Sequence, residues 1–427
     1  MKIFVENNPL YQAHIQYTLR VFMHHYKTKV VITDNRQQAD AVIDETPASA
    51  VAISLPFYEK LAAGKFNHAD HFAKECLVRT PTGQPDYLAT CFYLINSLQE
   101  YNCEKKDRAG RFPYRESYQY KFDNVKQNLA AGYFEEMRST SFAAIAAKEE
   151  RAEVFLSHDI DNINTGWLED GFAALKSGRV DQLFSLLFRA AMQKPHWFNI
   201  DQIMAVHDEY DLRSTFFWLC HKGRSAAGLQ NADYDVQSSK VQKAIARVQQ
   251  RGFESGIHKS AADESFFAES KKLGFTPIAN RYHFLRFSLP DAYRELEEAG
   301  IQLDTSLGFS EQFGFRNSYG KPFQPFDLSR KKPYNLVEAP LHVMDRTFFS
   351  AGVPVQQVAA RVIDFFEKNK YNCTFSVLWH NNFFDSIKYK GYLQEYKKIL
   401  AYLYENKYPA LTQKQIIERY TLPTEKE

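Results

Sequence analysis

From residue 153 onward the chain alternates short apolar runs with longer stretches whose apolar residues recur at helical spacing. EVFLSHDID (153–161), STFFWL (214–219), FESGIH (253–258) and NRYHF (280–284) read as strands. IQLDTS (301–306), NLVEAPLHV (335–343) and CTFSVLWHN (373–381) bring the number to seven. Residues 167–210, 237–251, 262–273, 289–299 and 354–368 read as the helices between them. Such alternation predicts a parallel α/β sheet with right-handed crossovers, in its simplest closed form a distorted (β/α)7-type barrel. The alternative is an open doubly wound sheet, but no G-x-G-x-x-G follows a strand.

Before residue 153 the rhythm is different. KIFVE (2–6) reads as a strand and residues 10–26 as a helix, with Pro9 where a helix can begin. KVVIT (29–33), DAVID (40–44) and AVAIS (50–54) are further short apolar runs, which together suggest a small α/β unit. Pro81, Gly83 and Pro85 mark a surface turn ahead of a helix at 86–101. Residues 104–127 are highly charged yet rich in Tyr and Phe. Flexible linkers lack such anchors, so this stretch reads as an ordered connector packed across the two halves. Residues 128–149 read as one helix. The expected organisation is an N-terminal α/β domain (1–120), a connector helix (121–150) and a barrel domain (151–427).

Composition narrows the class of protein. A chain of 427 residues is long enough for more than one core. Its net charge of +2 provides no field to attract nucleic acid or an anionic membrane, and there is no basic stripe. Arg330-Lys331-Lys332 reads as a solvated loop. With 35 Phe, 25 Tyr and 4 Trp the aromatic share is 15%, which excludes disorder. Five widely spaced cysteines, with no C-x-x-C, fit reduced thiols. The N-terminus lacks the form of a secretory signal, and no run approaches the roughly 18 apolar residues of a membrane span. A cytoplasmic protein is expected.

Polar residues close the apolar strands: Asp159 and Asp161, His258, Arg281 and His283, Asp304, and His380. The C-terminal ends of barrel strands converge, so these side chains are expected to meet. Strand alternation puts Asp159 and Asp161 on one face. Two close carboxylates repel unless a cation or proton lies between them, so a metal would satisfy one and leave the other as a base. The alternative is a turn or helix cap built from Asp. Arg281 is suited to hold a buried carboxylate. His380, after Val377-Leu378-Trp379, is suited to general acid or base work.

SHDID, STFF, ESGIH, RYHF, LDTSLGF and LWHN, in this order, resemble the polysaccharide deacetylases of the carbohydrate esterase 4 superfamily. The resemblance covers about residues 151–385 and is closest to a bacterial branch with an extra N-terminal domain and an H-D-x-D first motif. GRFPYRESYQYK (110–121) extends it across the connector. The resemblance implies metal-dependent hydrolysis of an N-acetyl group on an amino sugar, polysaccharide or glycan precursor. It makes Asp159 the general base, Asp161 a metal ligand, His258 the first His of H-x-x-x-H, and Arg281 the residue that orients the base. It makes the Phe284 N–H an oxyanion donor and His380 the general acid. A carboxylate from Asp304, Glu338 or Asp345 would orient that acid, with Asp304 assigned to the catalytic set. Trp379 and Asn381 are expected to touch substrate, and Trp379, Phe383, Phe384, Tyr282 and Phe309 are the rings available to stack on a sugar.

One position departs from the family. Ala262 stands where the second metal His is expected. A catalytic Zn²⁺ site wants three protein ligands, so His283 is the preferred replacement and His158 the alternative. With a third ligand the metal is Zn²⁺, or Co²⁺ or Ni²⁺; without one it binds weakly or not at all. The competing functions are a decayed, carbohydrate-binding deacetylase fold and a metal-independent hydrolase of another C–N bond. The expected partner is a carbohydrate, not nucleic acid or a membrane.

Overall fold

Two parallel sheets and one short antiparallel pair organise the chain in the computed structural model, which describes residues 1–423 apart from residues 29, 47, 148, 193–195 and 385. In the first sheet β1 (Lys2–Val5) lies between β2 (Val31–Thr33) and β3 (Ala41–Ile43). The helix Gln12–Tyr26 packs beside it. Lys29, which opens the second expected strand, lies outside the described residues. The run 50–54 is not a strand. Its Val51 is buried, and the Ser54 N–H donates to Asp86 Oδ2 at 2.6 Å as the chain enters the helix Leu55–Ala62.

The larger sheet contains β4 (Glu153–Ile160), β5 (Thr215–Leu219), β6 (Glu254–Lys259), β7 (Ala279–Tyr282) and β8 (Leu303–Asp304). Next come β9 (Phe326–Asp327) and β10 (Lys332–Pro333), which pair antiparallel outside that sheet. The chain then returns to it with β11 (Val337–Glu338), β12 (Val343–Met344) and, last, β13 (Thr374–Leu378). The strand order is β11-β8-β7-β6-β5-β4-β13-β12, and every neighbouring pair is parallel. Among the described residues this sheet therefore has eight strands rather than seven. NLVEAPLHV is two of them, split at Pro340, which cannot donate to a ladder.

That split dictates the curvature. In a flat sheet the two edges would stand about 34 Å apart, seven spacings of roughly 4.8 Å. Yet Glu338 ends one edge strand and Val343 begins the other. Five extended residues span at most about 18 Å, so the sheet must curl until its edges approach. Within the link, Ala339 N–H donates to the Asp304 carbonyl (2.8 Å), Leu341 to that of Leu307 (3.0 Å) and His342 to that of Ser376 (3.1 Å). The link thus bonds to the β8 side and to β13, giving the distorted barrel that the alternation predicts.

Helices follow the expected pattern with shorter bounds. Ser239–Gln250, Asp291–Glu298 and Val358–Lys368 occupy three of the expected stretches. The stretch 167–210 is three helices: Gly166–Lys176, Val180–Ala191 and Ile200–Asp208. Gly178, at φ 69°, breaks the first from the second, and residues 193–195 lie outside the described residues. Phe266–Ser270 is all that forms within 262–273. Leu129–Ser141 is the helix within 128–149, where Lys148 also lies outside the described residues.

One apolar cluster runs from Ile3 and Phe92 through Phe216 and Phe375. A buried ion pair joins the same regions: Arg316 Nε and Nη2 donate to the Glu100 carboxylate at 2.8 and 2.6 Å. The connector 104–127 is ordered and touches the barrel through Lys106–Ser288 and Arg111–Phe284 contacts. Arg330 is not merely solvated; it pairs with Asp327 and Glu297 at the β9–β10 turn. All five cysteines are free thiols. Among the described residues no helix is long and apolar enough to cross a membrane.

Candidate active site

The C-terminal ends of the parallel strands open into a cavity of about 590 Å³. Asp159 and Asp161 from β4 and the residue after it, His258 from β6, Tyr282, His283 and Phe284 at the end of β7, and His380 after β13 all line it. Strand register explains the meeting, since His258 stands opposite Arg281 in the β6–β7 pair.

Arg281 is fully buried and spans the barrel interior. Its Nη1 donates to Asp159 Oδ1 and to Ser157 Oγ, both at 2.9 Å, and its Nε donates to the Thr305 carbonyl at 3.1 Å. The guanidinium therefore fixes one oxygen of Asp159. The other faces His258 Nε2 at 3.6 Å.

Two imidazoles are held by their outer nitrogens. His258 Nδ1 donates to the Arg281 carbonyl (2.9 Å) and His283 Nε2 to the Gln230 carbonyl (3.0 Å). Bonds of this kind fix the tautomer and turn the other nitrogen inward. His258 Nε2 and His283 Nδ1 consequently face each other at 3.0 Å. Asp161 Oδ1 completes the triangle, 3.3 Å from the first and 3.7 Å from the second. That oxygen is buried and makes no hydrogen bond. Tetrahedral Zn²⁺ with bonds of about 2.0–2.2 Å requires ligand atoms roughly 3.4 Å apart. By that measure the donor set fits a divalent ion.

The electrostatics agree. Burial alone would raise the Asp161 carboxyl, but His283, His258 and His380 around it hold it well below the usual carboxylate range. Burial lowers both cluster imidazoles. For His258 the Asp159 and Asp161 carboxylates outweigh it and raise the pKa, whereas His283 is pushed down to about 4.

His380 sits across the cavity. Its backbone N–H donates to Asp345 Oδ2 (2.6 Å) and its Nδ1 to Asp345 Oδ1 (2.7 Å), leaving Nε2 toward Asp161 Oδ2 at 3.9 Å. Burial would lower its pKa, but the Asp345 carboxylate outweighs burial and raises it to about 9. His380 thus holds its proton to higher pH than a free imidazole, with Nε2 turned toward the cavity.

Several expected residues lie elsewhere. The partner of His380 is Asp345, not Asp304. Asp304 accepts from Asn280 Nδ2 (2.7 Å) and Ser306 Oγ (3.0 Å) and stands opposite Glu338 in the β8–β11 pair. His158 turns away from the cluster, with Nδ1 on the Trp379 carbonyl (2.7 Å) and Nε2 on His207 (2.8 Å). Trp379 is fully buried, stacked on Tyr396 at 4.8 Å, and does not line the cavity. Asn381 is also buried, donating to the carbonyls of Asn162 (2.7 Å) and Trp197 (2.8 Å). Phe383, Phe384 and Phe309 pack in the core, so Tyr282 is the one of the five expected rings that lines the cavity. Ala262 lines a neighbouring groove, and the buried triangle is formed by Asp161, His258 and His283.

Gln230, Asn231, Asn382 and Arg111, which no sequence pattern singles out, also line the cavity. Arg111 reaches in from the connector, paired with Asp107 at 2.7 Å, and its Nη1 donates to the Phe284 carbonyl at 3.1 Å. Phe284 and Leu285 stand at φ 60° and 55°, a left-handed turn unusual for bulky residues. Arg111 thereby clasps a strained turn beside His283.

Residues 3–140 match the model of a family of unknown function, DUF7033. No curated protein matches the chain. Among solved structures, similar chains include a putative polysaccharide deacetylase from Mycobacterium smegmatis, 11% identical over 65% of this chain and 96% of that one, with a TM-score of 0.39. A probable polysaccharide deacetylase from Pseudomonas aeruginosa PAO1 is 12% identical over 63% of this chain and 91% of its own, at a TM-score of 0.41. Puue allantoinase is 14% identical over 63% and 90%, at 0.40.

Proposed function

We propose that the chain is a metal-dependent hydrolase that removes an N-acetyl group from an amino sugar or a glycan built from one. The observation that carries this reading is the triangle of Asp161 Oδ1, His258 Nε2 and His283 Nδ1, with edges of 3.0–3.7 Å, between Asp159 and His380. A divalent ion held by these three residues, Zn²⁺ or in its place Co²⁺ or Ni²⁺, would acidify a water and polarise the acetyl carbonyl.

The remaining chemistry belongs to the chain. Asp159 is positioned by Arg281 at 2.9 Å, with its second oxygen turned to the cluster, and takes the proton of the attacking water. The Phe284 N–H, on the turn clasped by Arg111, donates to the oxygen that becomes negative. His380, carrying its proton below about pH 9, donates from Nε2 to the departing nitrogen. That proton matters because an amine leaves only once protonated.

The test is release of acetate from N-acetylglucosamine oligomers by the purified chain, before and after chelation and readdition of Zn²⁺, Co²⁺ or Ni²⁺. Asp159→Asn is expected to lower kcat by at least about 10²-fold with an unchanged Tm. Undiminished turnover in that variant, or activity indifferent to chelation, would refute the assignment.

A further inference from the structure

We infer that the helical hairpin of residues 166–192 is a docking surface for a second copy of this chain, two hairpins closing into a four-helix bundle. The inference is independent of the hydrolase reading above.

Among the described residues thirteen large apolar side chains are exposed, and seven of them fall between residues 168 and 192. Scattered singly, such residues need no explanation; gathered, they do. The helix Gly166–Lys176 presents Leu168, Phe172 and Leu175, and the helix Val180–Ala191 presents Phe184, Leu187 and Phe188. Met192 extends the second stripe. Both stripes follow helical spacing, the pattern of a face that packs on another element. The opposite side of the hairpin is already engaged. Asp170 is fully buried and accepts from His196 Nε2 (2.7 Å), Ser386 Oγ (2.6 Å) and the Lys388 N–H (2.8 Å), and Gly166 lies against the Trp197 ring. The hairpin is thus tied to the barrel by one face and shows the other to solvent.

The two helices meet at Gly171, where a Cβ would stand 3.3 Å from Leu183 Cδ1. At about 100° per residue each exposed stripe is turned the same way from that contact, and in an antiparallel pair this brings both to one side. The seven side chains are 42–71% exposed. That amounts to roughly 800 Å² of apolar surface, taking about 200 Å² for a whole side chain. The largest patch on an ordinary monomer is about 300–600 Å², whereas a stable dimer buries about 800 Å² on each partner. A two-fold pairing needs one self-complementary patch, and two antiparallel hairpins laid face to face make a bundle. Charge argues against a lipid surface as the occupant. Helices that lie on membranes are rich in Lys and Arg on the polar face, but residues 166–192 have three acidic and three basic residues. Glu169, on the first helix, lines the cavity, so the second copy stands beside its mouth.

Sedimentation equilibrium of the full chain measures the association. The wild type is expected to be a dimer at about 10 µM. Phe172→Glu and Phe188→Glu each place a charge in the face and are expected to raise the dimer Kd by about tenfold or more. Their Tm as monomers should be unchanged, because both rings are exposed. Phe267→Glu, at an exposed ring outside the hairpin, is the control and should leave the Kd where it is. A wild type that stays monomeric at that concentration overturns the inference, as does a dimer that both hairpin variants retain or a loss shared equally by Phe267→Glu. Flotation with vesicles of phosphatidylcholine and phosphatidylglycerol tests the lipid occupant: a monomeric chain that floats, and ceases to in the hairpin variants, also overturns it.

Discussion

At the scale of single residues, the pairing of His380 with Asp345 decides how the site responds to pH. The Asp345 carboxylate raises His380 to about 9 against the opposing effect of burial. Turnover that needs the imidazolium should therefore hold through neutrality and fall above about pH 9. Asp345→Asn should move that falling limb to lower pH and reduce kcat at pH 8 by about tenfold or more. A kcat–pH profile checks this, and an unmoved limb would count against the pairing. The stability sign is the same: with the pKa raised in the fold, the pair's contribution is fully present below the unfolded value near 6.5 and is lost as pH rises through 9. Most of this centre was legible in the sequence, because Asp159, Asp161, His258, Arg281, His283 and His380 each follow or end an apolar strand. Asp345 was harder to read. It obeys the same rule, but its two-residue strand was hidden inside a longer apolar run. Trp379 and Asn381 misled because adjacency to His380 says nothing about which neighbour faces the cavity.

At the scale of elements, β8 and β11 place Asp304 and Glu338 opposite each other in a buried layer. Burial raises both carboxyls, and repulsion from Asp304 drives Glu338 further up. The folded state thus binds a proton that the unfolded chain releases near the ordinary Glu pKa, and stability declines as pH rises above that value. Glu338→Gln should remove the dependence and raise Tm at pH 8 relative to wild type; an identical or lower Tm would contradict it. Strand positions were otherwise readable, since strands buried on both faces are continuous apolar runs. Short ones were not: β9 and β10 have two residues each, too few for a period to register. The signal for splitting 335–343 was Pro340, which interrupts any central strand.

At the scale of the whole molecule, the N-terminal region is fastened to the barrel by charge as well as by rings. Arg316→Met leaves Glu100 buried without its guanidinium and should cost about 3–5 kcal/mol. Arg316→Met combined with Glu100→Leu should recover most of that loss, which denaturant unfolding of the three proteins measures. Arg111→Ala releases the Phe284 carbonyl and should lower kcat at unchanged Tm, an effect of residues before the barrel on chemistry within it. Aromatic composition excluded disorder; it could not predict that a connector residue would enter the cavity, because contact between distant segments leaves no local pattern. The link 339–342 has a last consequence. Open parallel sheets end in rows of free N–H and C=O groups that invite another chain to add a strand. Here both border strands are two residues long, and the segment between them bonds to β8 and β13. A second molecule finds little there to extend, so the barrel is guarded against edge-to-edge aggregation by its own backbone.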